Sequence, residues 1–280
     1  MRKKWRIKYM EGDTRKIECR LAAFDLDGTL LSSDHTLSPK NREALQALTV
    51  QDILVVLVSG RMHRAIQPIS DQLGLENPII SYNGGMVRHA TTAEVYHHTP
   101  VPADYAMMVV NDCIEQGLHL NFCLNDELYV AERNAWSDLY EARTAVPATP
   151  VGDLRQLAGE TPTKLLIIHT PEKLQPLLRR FQTSYAEKLY VTQTQAEYIE
   201  FMNPEVTKGR ALTALANRFN IPMDTVVAFG DSYNDESLLK TAGFGIAMAN
   251  AVPPIRACAD FITTTNDDNG VAKAIWELIL

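Results

Sequence analysis

Short apolar runs that stop at polar or glycine residues constrain the fold of this chain more than any other feature. Leu21 to Phe24, Ile53 to Val58 and Thr225 to Phe229 are continuous runs of this kind, typical of strands that are buried in a parallel sheet. Helical patterns separate them, such as the segment that Ser38 and Pro39 open. The alternation predicts an α/β fold with a Rossmann-like, doubly wound parallel sheet.

Two carboxylates follow the first run. Asp25 and Asp27 flank Leu26, just before a Gly-Thr turn. Residues i and i+2 of an extended segment lean to the same side, so these carboxylates are expected to converge at the carboxyl end of a strand. Such a pair needs a counter-ion, and a hard divalent cation such as Mg²⁺ is the natural one. A solvated Asx/Gly turn is the alternative interpretation of the same residues.

The second run ends in a tripeptide that suits an oxyanion. Ser59, Gly60 and Arg61 offer a hydroxyl, a close backbone approach and a guanidinium. A serine that caps the next helix would explain the same residues. Lys208 precedes an amphipathic segment, so its ammonium would lie at a helix start, although a surface lysine is the plainer interpretation.

Further polar residues follow the run that ends at Phe229. They are Asp231, Ser232, Asn234 and Asp235. Ligands bind at the carboxyl edge of open α/β sheets. Because several predicted strands deliver polar side chains to that edge, we expect these side chains to form one site.

The pattern changes between about Met86 and Gln195, where strands, helices and more polar loops alternate. The change predicts a core in two parts, 1–84 and 196–280, around an inserted α+β domain at 85–195. The segment from Met86 to His98 is expected to form a hairpin, and Thr149-Pro150 a loop. Asn83-Gly84-Gly85, which leads into the insert, has the composition of a hinge.

Composition excludes several classes of function. The chain has 280 residues, 46% of them hydrophobic and 22% charged, and a net charge of −7, which argues against general binding to nucleic acid or membrane surfaces. The four cysteines are far apart and suggest neither zinc nor disulfides, which fits a reducing cytoplasm. Residues 1–20 are a basic extension with no apolar signal core, and Trp5, Ile7 and Tyr9 alternate there as in an edge strand.

Four motifs occur in the order found in a known family. They are Asp25-x-Asp27-Gly28-Thr29-Leu30, Ser59-Gly60-Arg61, Lys208-Gly209 and Gly230-Asp231-Ser232-x-Asn234-Asp235. With Asn83-Gly84-Gly85 and Thr265-Asn266-Asp267, they make the chain resemble the haloacid dehalogenase superfamily and, within it, the Cof-type phosphatases with an inserted α/β cap of type C2B. Ser232 and Asn269 depart from the usual family residues without removing a catalytic group.

The resemblance implies roles for these residues. Asp25 would be the nucleophile and Asp27 the general acid and base. Mg²⁺ would be bound by Asp25, the Asp27 carbonyl and Asp231. Phosphoryl oxygens would be held by Ser59, Gly60 and Lys208. The supporting residues would be Arg61, Ser232, Asn234, Asp235 and Asn266.

The function that the resemblance implies is magnesium-dependent hydrolysis of a small phosphate monoester, with a sugar phosphate as the default substrate. A phosphohexomutase-like transferase and a non-catalytic phosphate-binding domain are the alternatives. The enzyme is expected to be a monomer or homodimer. The insert should choose the substrate, because the motif residues are all used on the phosphoryl group and its metal. Its candidate contacts are Asn125, Asp126, Glu127, Arg133 and His169.

Overall fold

A computed structural model of the chain describes residues 16–280. The expected edge strand around Trp5, Ile7 and Tyr9 lies outside these residues. The described chain divides into two compact units. The core unit contains the residues up to Gly60 with Ile66–His97 and Thr207–Leu280, and the insert unit contains Arg61–Ala65 and His98–Val206.

Fourteen strands occur within residues 16–280. They are β1 (Leu21–Asp25), β2 (Leu54–Val58), β3 (Pro78–Ser81), β4 (Met86–His89), β5 (Val95–His98), β6 (Leu120–Leu124), β7 (Glu127–Val130), β8 (Ala148–Pro150), β9 (Lys164–Ile168), β10 (Tyr190–Thr192), β11 (Tyr198–Met202), β12 (Val226–Gly230), β13 (Phe244–Ala247) and β14 (Phe261–Ile262).

The α-helices of the same residues separate most of these strands. They are α1 (Pro39–Val50), α2 (His63–Leu73), α3 (Ala103–Glu115), α4 (Ala135–Thr144), α5 (Pro171–Ser184), α6 (Lys208–Arg218), α7 (Glu236–Thr241), α8 (Pro253–Cys258) and α9 (Gly270–Ala274). As predicted, Ser38 caps α1, and its side chain accepts a hydrogen bond from the backbone N–H of Asn41. No helix in this part of the chain is long and apolar enough to cross a membrane.

The core unit is built on an eight-stranded sheet in the order β14-β13-β12-β1-β2-β3-β4-β5. The strands from β14 to β3 pair in parallel, and β4 pairs antiparallel with β3. Strand β1 lies between β2 and β12, with Leu21 opposite both Leu54 and Val226. Across the β1/β12 pair, the ring of Phe24 stacks on that of Phe229, and the two ring centroids are 4.8 Å apart. The predicted doubly wound α/β fold is confirmed, and its central strands deliver the polar residues to one edge.

The insert unit has a six-stranded sheet in the order β10-β11-β9-β6-β7-β8. Helices α3 and α5 pack on the sheet to form an apolar core, which contains Phe122 and Phe201 of the strands and Phe181 of α5. The prediction that Thr149-Pro150 is a loop is wrong, because these residues pair in parallel with Tyr129 and Val130.

Two strands fall on the other side of the boundaries that the sequence suggested. The Met86–His89 strand pairs with β3, so the expected hairpin extends the core sheet rather than the insert. Strand β11 pairs antiparallel with β9 and β10, so it belongs to the insert's sheet although it lies beyond residue 195. In both cases strand pairing decides the sheet. Strand β4 pairs with β3, the strand directly before it, whereas β11 pairs with β10 and with β9, which lies beyond α5 in the chain.

Candidate active site

Three carboxylates meet at the carboxyl edge of the core sheet. Strands β1 and β12 are neighbours, in register at Phe24 and Phe229, so the residues that follow in each strand emerge side by side. Asp25, Asp231 and Asp235 each place an oxygen within 4.8 Å of the others. All three side chains are buried. The arrangement is an oxygen-rich cluster of the kind that a hard divalent cation prefers.

Lys208 lies inside this cluster. Its Nζ is 2.6 Å from Asp25 Oδ1 and 2.6 Å from Asp235 Oδ1. The residue is 1% exposed, so the interpretation as a surface lysine is excluded. Helix α6 begins at Lys208 itself, and the Thr207 side chain caps that helix by accepting from the Arg210 N–H. The helix start therefore fixes where the ammonium enters the carboxylate cluster.

Asp235 binds protein groups with both of its oxygens. Oδ1 accepts from Lys208, and Oδ2 accepts the backbone N–H groups of Asp231 and Ser232, each at 3.0 Å. The Asp231 carboxylate in turn accepts hydroxyl groups from Thr29 at 2.9 Å and Ser232 at 3.0 Å. Asp235 thus orients the lysine and the turn that carries Asp231.

Electrostatics in the cluster favour an additional cation. Burial first, then the neighbouring Asp235 carboxylate, raises the pKa of Asp25 well above its ordinary value, and the same two causes raise the pKa of Asp231. Burial alone would lower the pKa of Lys208, but the carboxylates of Asp235 and Asp25 outweigh it and raise that pKa. Three carboxylates around one ammonium leave two negative charges in excess, so the donor set fits a divalent metal ion.

Asp27 lies outside the buried cluster and is more accessible. Its side chain is 42% exposed, and Oδ1 is 3.1 Å from His35 Nδ1. His35 is carried by the turn Ser32–Thr36, in which the Ser32 N–H donates to the Thr36 carbonyl and the His35 N–H donates to the Ser32 carbonyl. Ser33 of that turn donates its N–H and its hydroxyl to Asp267. The Asp27 carboxylate is therefore accessible to solvent, unlike the three carboxylates of the cluster.

The second motif occupies the end of β2, next to β1. Ser59 is 2% exposed, and its backbone N–H donates to the Ile80 carbonyl of β3. Gly60 follows it in the core unit, whereas Arg61 begins the short segment that belongs to the insert unit. Ser59 and Gly60 are therefore held at the edge of the core sheet, as predicted.

The remaining predicted residues are placed by contacts within their own units. Asn234 Nδ2 donates to Asn83 Oδ1 at 3.0 Å. Asn266 is buried and donates its side-chain amide to the Leu31 carbonyl at 3.0 Å, which holds the loop after β1. That contact gives Asn266 a structural part in the loop, in addition to the substrate-side part that the resemblance implies.

Four of the five suggested insert residues contact other residues of the insert unit. Asp126 accepts the backbone N–H of Arg64 at 2.9 Å, and Glu127 pairs with the Arg64 guanidinium. Arg133 pairs with two acidic residues of α4. His169 packs against Trp136, with ring centroids 5.1 Å apart. Asn125 is exposed, and its backbone lies in the left-handed region with a φ of 52°.

Sequence reasoning missed three residues that contact the motifs. Thr29 is fully buried and binds Asp231, and its place inside the first motif was the available signal. His35 contacts Asp27, and Asn83 contacts Asn234. The sequence around His35 and Asn83 does not indicate either contact. Both contacts depend on turns with positive φ, at 60° for His35 and 57° for Asn83.

The sheet and its acidic, lysine-containing edge define an α/β enzyme of the kind that the four motifs suggested. A sequence model of the haloacid dehalogenase-like hydrolase family matches residues 22–275, and the chain belongs to that family.

Relatives of known name or structure agree with this assignment. The chain is 30% identical to phosphatase YwpJ of Bacillus subtilis, over 93% of this chain and all of that protein. It is 30% identical to the 5-amino-6-(5-phospho-D-ribitylamino)uracil phosphatase YitU of B. subtilis, over 92% of this chain and 96% of the relative. A haloacid dehalogenase-like hydrolase from Bacteroides thetaiotaomicron superposes with a TM-score of 0.86 at 29% identity, covering 92% of this chain and 98% of the other. The predicted family, fold class and phosphatase assignment are confirmed.

Proposed function

We propose that the chain hydrolyses a small phosphate monoester with the help of Mg²⁺, through an aspartyl-phosphate on Asp25. The observation that supports this most is the buried contact of 2.6 Å between Lys208 Nζ and Asp25 Oδ1. Lys208 holds one carboxylate oxygen and so fixes the direction of the other. A short, firmly oriented carboxylate beside a cation is well suited to attack phosphorus.

The reaction has two steps on this proposal. In the first, an Asp25 oxygen bonds to phosphorus, the bond from phosphorus to the ester oxygen breaks, and Asp27 protonates the departing alcohol. In the second, Asp27 takes a proton from water, the water oxygen bonds to phosphorus, and the bond to Asp25 breaks. Inorganic phosphate and the starting form of Asp25 result. Asp27 suits this exchange because its carboxylate is exposed while that of Asp25 is buried.

The divalent ion would be held by carboxylate oxygens of Asp25 and Asp231 and by the backbone carbonyl of Asp27. When bound, Mg²⁺ supplies positive charge that offsets the charge of the transferring phosphoryl group. Asp231 is oriented for this by the hydroxyl groups of Thr29 and Ser232. Asp235 would support Lys208, because its Oδ1 accepts from that ammonium while its Oδ2 accepts the backbone N–H groups of Asp231 and Ser232.

Ser59, Gly60 and Lys208 would bind the phosphoryl oxygens. The hydroxyl of Ser59 and the backbone around Gly60 lie at the end of β2, the strand beside β1. Lys208 would bridge the phosphoryl group and Asp25. Arg61, Asn234 and the other supporting residues would shape the surroundings of this group rather than react.

The insert would act as a cap and choose the substrate. The relative YitU is named for a compound that carries a phosphate on a ribityl chain. That name supports a small, non-polymeric phosphate ester as substrate here, with a sugar phosphate as the default. The net charge of −7 supports a small metabolite rather than nucleic acid or a membrane as the partner. The four widely separated cysteines support the cytoplasm as the compartment.

The proposed activity is tested with p-nitrophenyl phosphate. We expect release of phosphate with Mg²⁺, loss of turnover with a chelator and recovery when Mg²⁺ is restored. Ca²⁺ should support turnover poorly, because its larger and looser shell misaligns the attack. Full activity in the chelator would contradict the metal assignment, and absence of any phosphate release would favour a binding domain without catalysis.

The role of Asp27 is tested by the leaving group. Asp27→Asn should impair hydrolysis severely for alkyl phosphates and least for p-nitrophenyl phosphate, since a good leaving group needs little protonation. Rates over a series of aryl phosphates give the dependence on leaving-group pKa. An equal loss for every ester would show that Asp27 is not the acid.

The role of the insert is tested by replacing it with a short linker. The variant should retain some hydrolysis of p-nitrophenyl phosphate and lose the ranking among phosphorylated metabolites that the intact enzyme shows. An unchanged ranking would show that the insert does not choose the substrate.

A further inference from the structure

A buried turn at the end of β3 has an unusual backbone. Tyr82, Asn83 and Gly84 follow one another with φ values of 52°, 57° and 100°. All three are buried, and Tyr82 has no exposed surface. A non-glycine residue in the left-handed region costs on the order of 1–3 kcal/mol and persists only where its surroundings enforce it. Two such residues in succession indicate that this turn is held in place by its contacts.

The glycine of this turn, Gly84, is closely packed. A Cβ atom on Gly84 would lie 2.4 Å from the carbonyl oxygen of Thr207, which is too close for any residue other than glycine. Thr207 is the residue that caps α6 immediately before Lys208. The turn therefore abuts the backbone that places the buried lysine.

The same turn binds the second and fourth motifs through Asn83. Its backbone N–H donates to the Ser59 carbonyl at 2.9 Å. Its side-chain Oδ1 accepts from Asn234 Nδ2 at 3.0 Å. A Cβ atom on Gly60 would lie 2.9 Å from the same Oδ1, so the Asn83 side chain also lies directly against the Gly60 backbone. One residue thus contacts two separate motif loops.

We propose that Asn83 is a positioning residue for the phosphoryl group. It acts through Ser59, Gly60 and Asn234, and this role rests on the proposed phosphatase function. Together its two structural requirements leave asparagine or aspartate at this position. The left-handed backbone favours Asn, Asp or Gly, and the contact with Asn234 needs a side-chain acceptor. An alanine fails both requirements, and a glycine meets only the first.

The backbone requirement and the side-chain requirement can therefore be tested separately by substitution. Asn83→Gly keeps the left-handed backbone and removes the acceptor, whereas Asn83→Ala also adds strain. The matched control is Asn220→Gly, because Asn220 has a φ of 53° and is exposed at the end of α6. Kinetics with p-nitrophenyl phosphate, inhibition by inorganic phosphate and thermal unfolding are measured for each protein in Mg²⁺.

Asn83→Gly should lower kcat/KM by about ten- to a hundredfold, since small misplacements of binding groups cost that much. KM and the inhibition constant of inorganic phosphate should rise together, while the unfolding temperature stays near that of Asn220→Gly. A merely structural role would reduce the folded fraction, so kcat would fall with KM unchanged. Asn234→Ala combined with Asn83→Gly should cost less than the two separate losses multiplied, because both remove the same contact.

The outcomes distinguish this proposal from the function on which it rests. If wild-type enzyme hydrolyses the ester and Asn83→Gly keeps its KM and phosphate inhibition, the positioning role is wrong and the phosphatase stands. If wild-type protein releases no phosphate, the titration of inorganic phosphate by calorimetry still decides. Weaker binding by Asn83→Gly than by Asn220→Gly supports the positioning role, and equal binding, or none by the wild type, overturns it.

Discussion

Each unit of this protein buries a lysine against carboxylate, and the two sites differ in their charge balance. In the insert unit, Lys164 Nζ is 2.8 Å from Glu200 Oε1, and both side chains are almost fully buried. In the core unit, Lys208 contacts two carboxylates, and a third, Asp231, lies close by. The insert pair is neutral, whereas the core cluster carries an excess of two negative charges.

The comparison shows that the two buried lysines differ in whether the neighbouring carboxylates outnumber the ammonium charge. Burial lowers the pKa of Lys164, and the Glu200 carboxylate more than restores it, so that pair is balanced. Two buried atoms of the insert unit, Glu200 Oε2 and Asn121 Nδ2, have no hydrogen-bond partner within residues 16–280. The core cluster instead has an excess of negative charge, which a bound cation or protonation of a carboxylate would offset.

The largest expected effect comes from removing Asp25, the proposed nucleophile, from the core cluster. Asp25→Asn should lower kcat for p-nitrophenyl phosphate by at least about a thousandfold, because no covalent acceptor remains. The matched change in the insert pair, Glu200→Gln, should leave that rate within a few-fold for the folded protein. A comparable loss of kcat in both variants would remove the distinction between the two lysines.

The next effect is on stability, and here a change in the insert pair is expected to matter more than a change in the core cluster. Glu200→Gln should reduce the free energy of unfolding by about 3–5 kcal/mol, because it leaves the Lys164 charge buried without its carboxylate. Replacing both partners by apolar residues, Lys164→Met with Glu200→Leu, should restore most of the loss. Denaturant titrations measure these differences, and a harmless single substitution would show that Lys164 is not held charged by Glu200.

A smaller effect is expected where the core cluster has excess charge. Asp231→Asn should raise the unfolding temperature of the metal-free protein by roughly 2–4 °C, about 1 kcal/mol for a chain of this size, because one repelling carboxylate is lost. The raised pKa of Asp231, caused by burial and by Asp235, supports this direction. Scanning calorimetry with and without Mg²⁺ is the measurement. Wild-type protein should gain stability from the metal, and a variant that gains as much would exclude Asp231 as a ligand.

The smallest effect is an acid sensitivity of the insert unit. Burial lowers the pKa of His119 below its ordinary value of 6.5. The unfolded chain then binds a proton more readily than the folded chain, so this contribution to stability is present above about pH 6.5 and is lost as the pH falls below it. Protonation would also break the contact of 3.1 Å in which His119 Nδ1 accepts from Asn134 Nδ2.

Unfolding temperatures between pH 7.5 and 5 for wild type and His119→Gln provide the measurement. The variant should show the flatter profile over this range, because glutamine does not titrate. Parallel profiles would mean that His119 is not the source of the acid sensitivity.

Much of the core site could be predicted from local sequence. Strand β1 and its two carboxylates are adjacent in the chain, and parallel pairing then places Asp231 beside them. The contact of Asn83 with Asn234 could not be predicted, because 151 residues separate them and the turn needs a left-handed backbone. The sheet that β11 joins was equally hidden, since its pairing with β9 reaches across α5 and β10. Strand β4 pairs with β3, the strand directly before it, so its partner was close in the sequence.

The place of β1 between β2 and β12 has a consequence for synthesis of the chain. Leu21 pairs with Val226, so one side of the central strand stays open until some 200 residues more have been made. At about 5–20 residues per second, that interval is on the order of 10–40 seconds. An unpaired apolar strand edge is a template for aggregation during such a delay. We expect the nascent chain to depend on chaperones until β12 leaves the ribosome, and the phosphate site to appear only then.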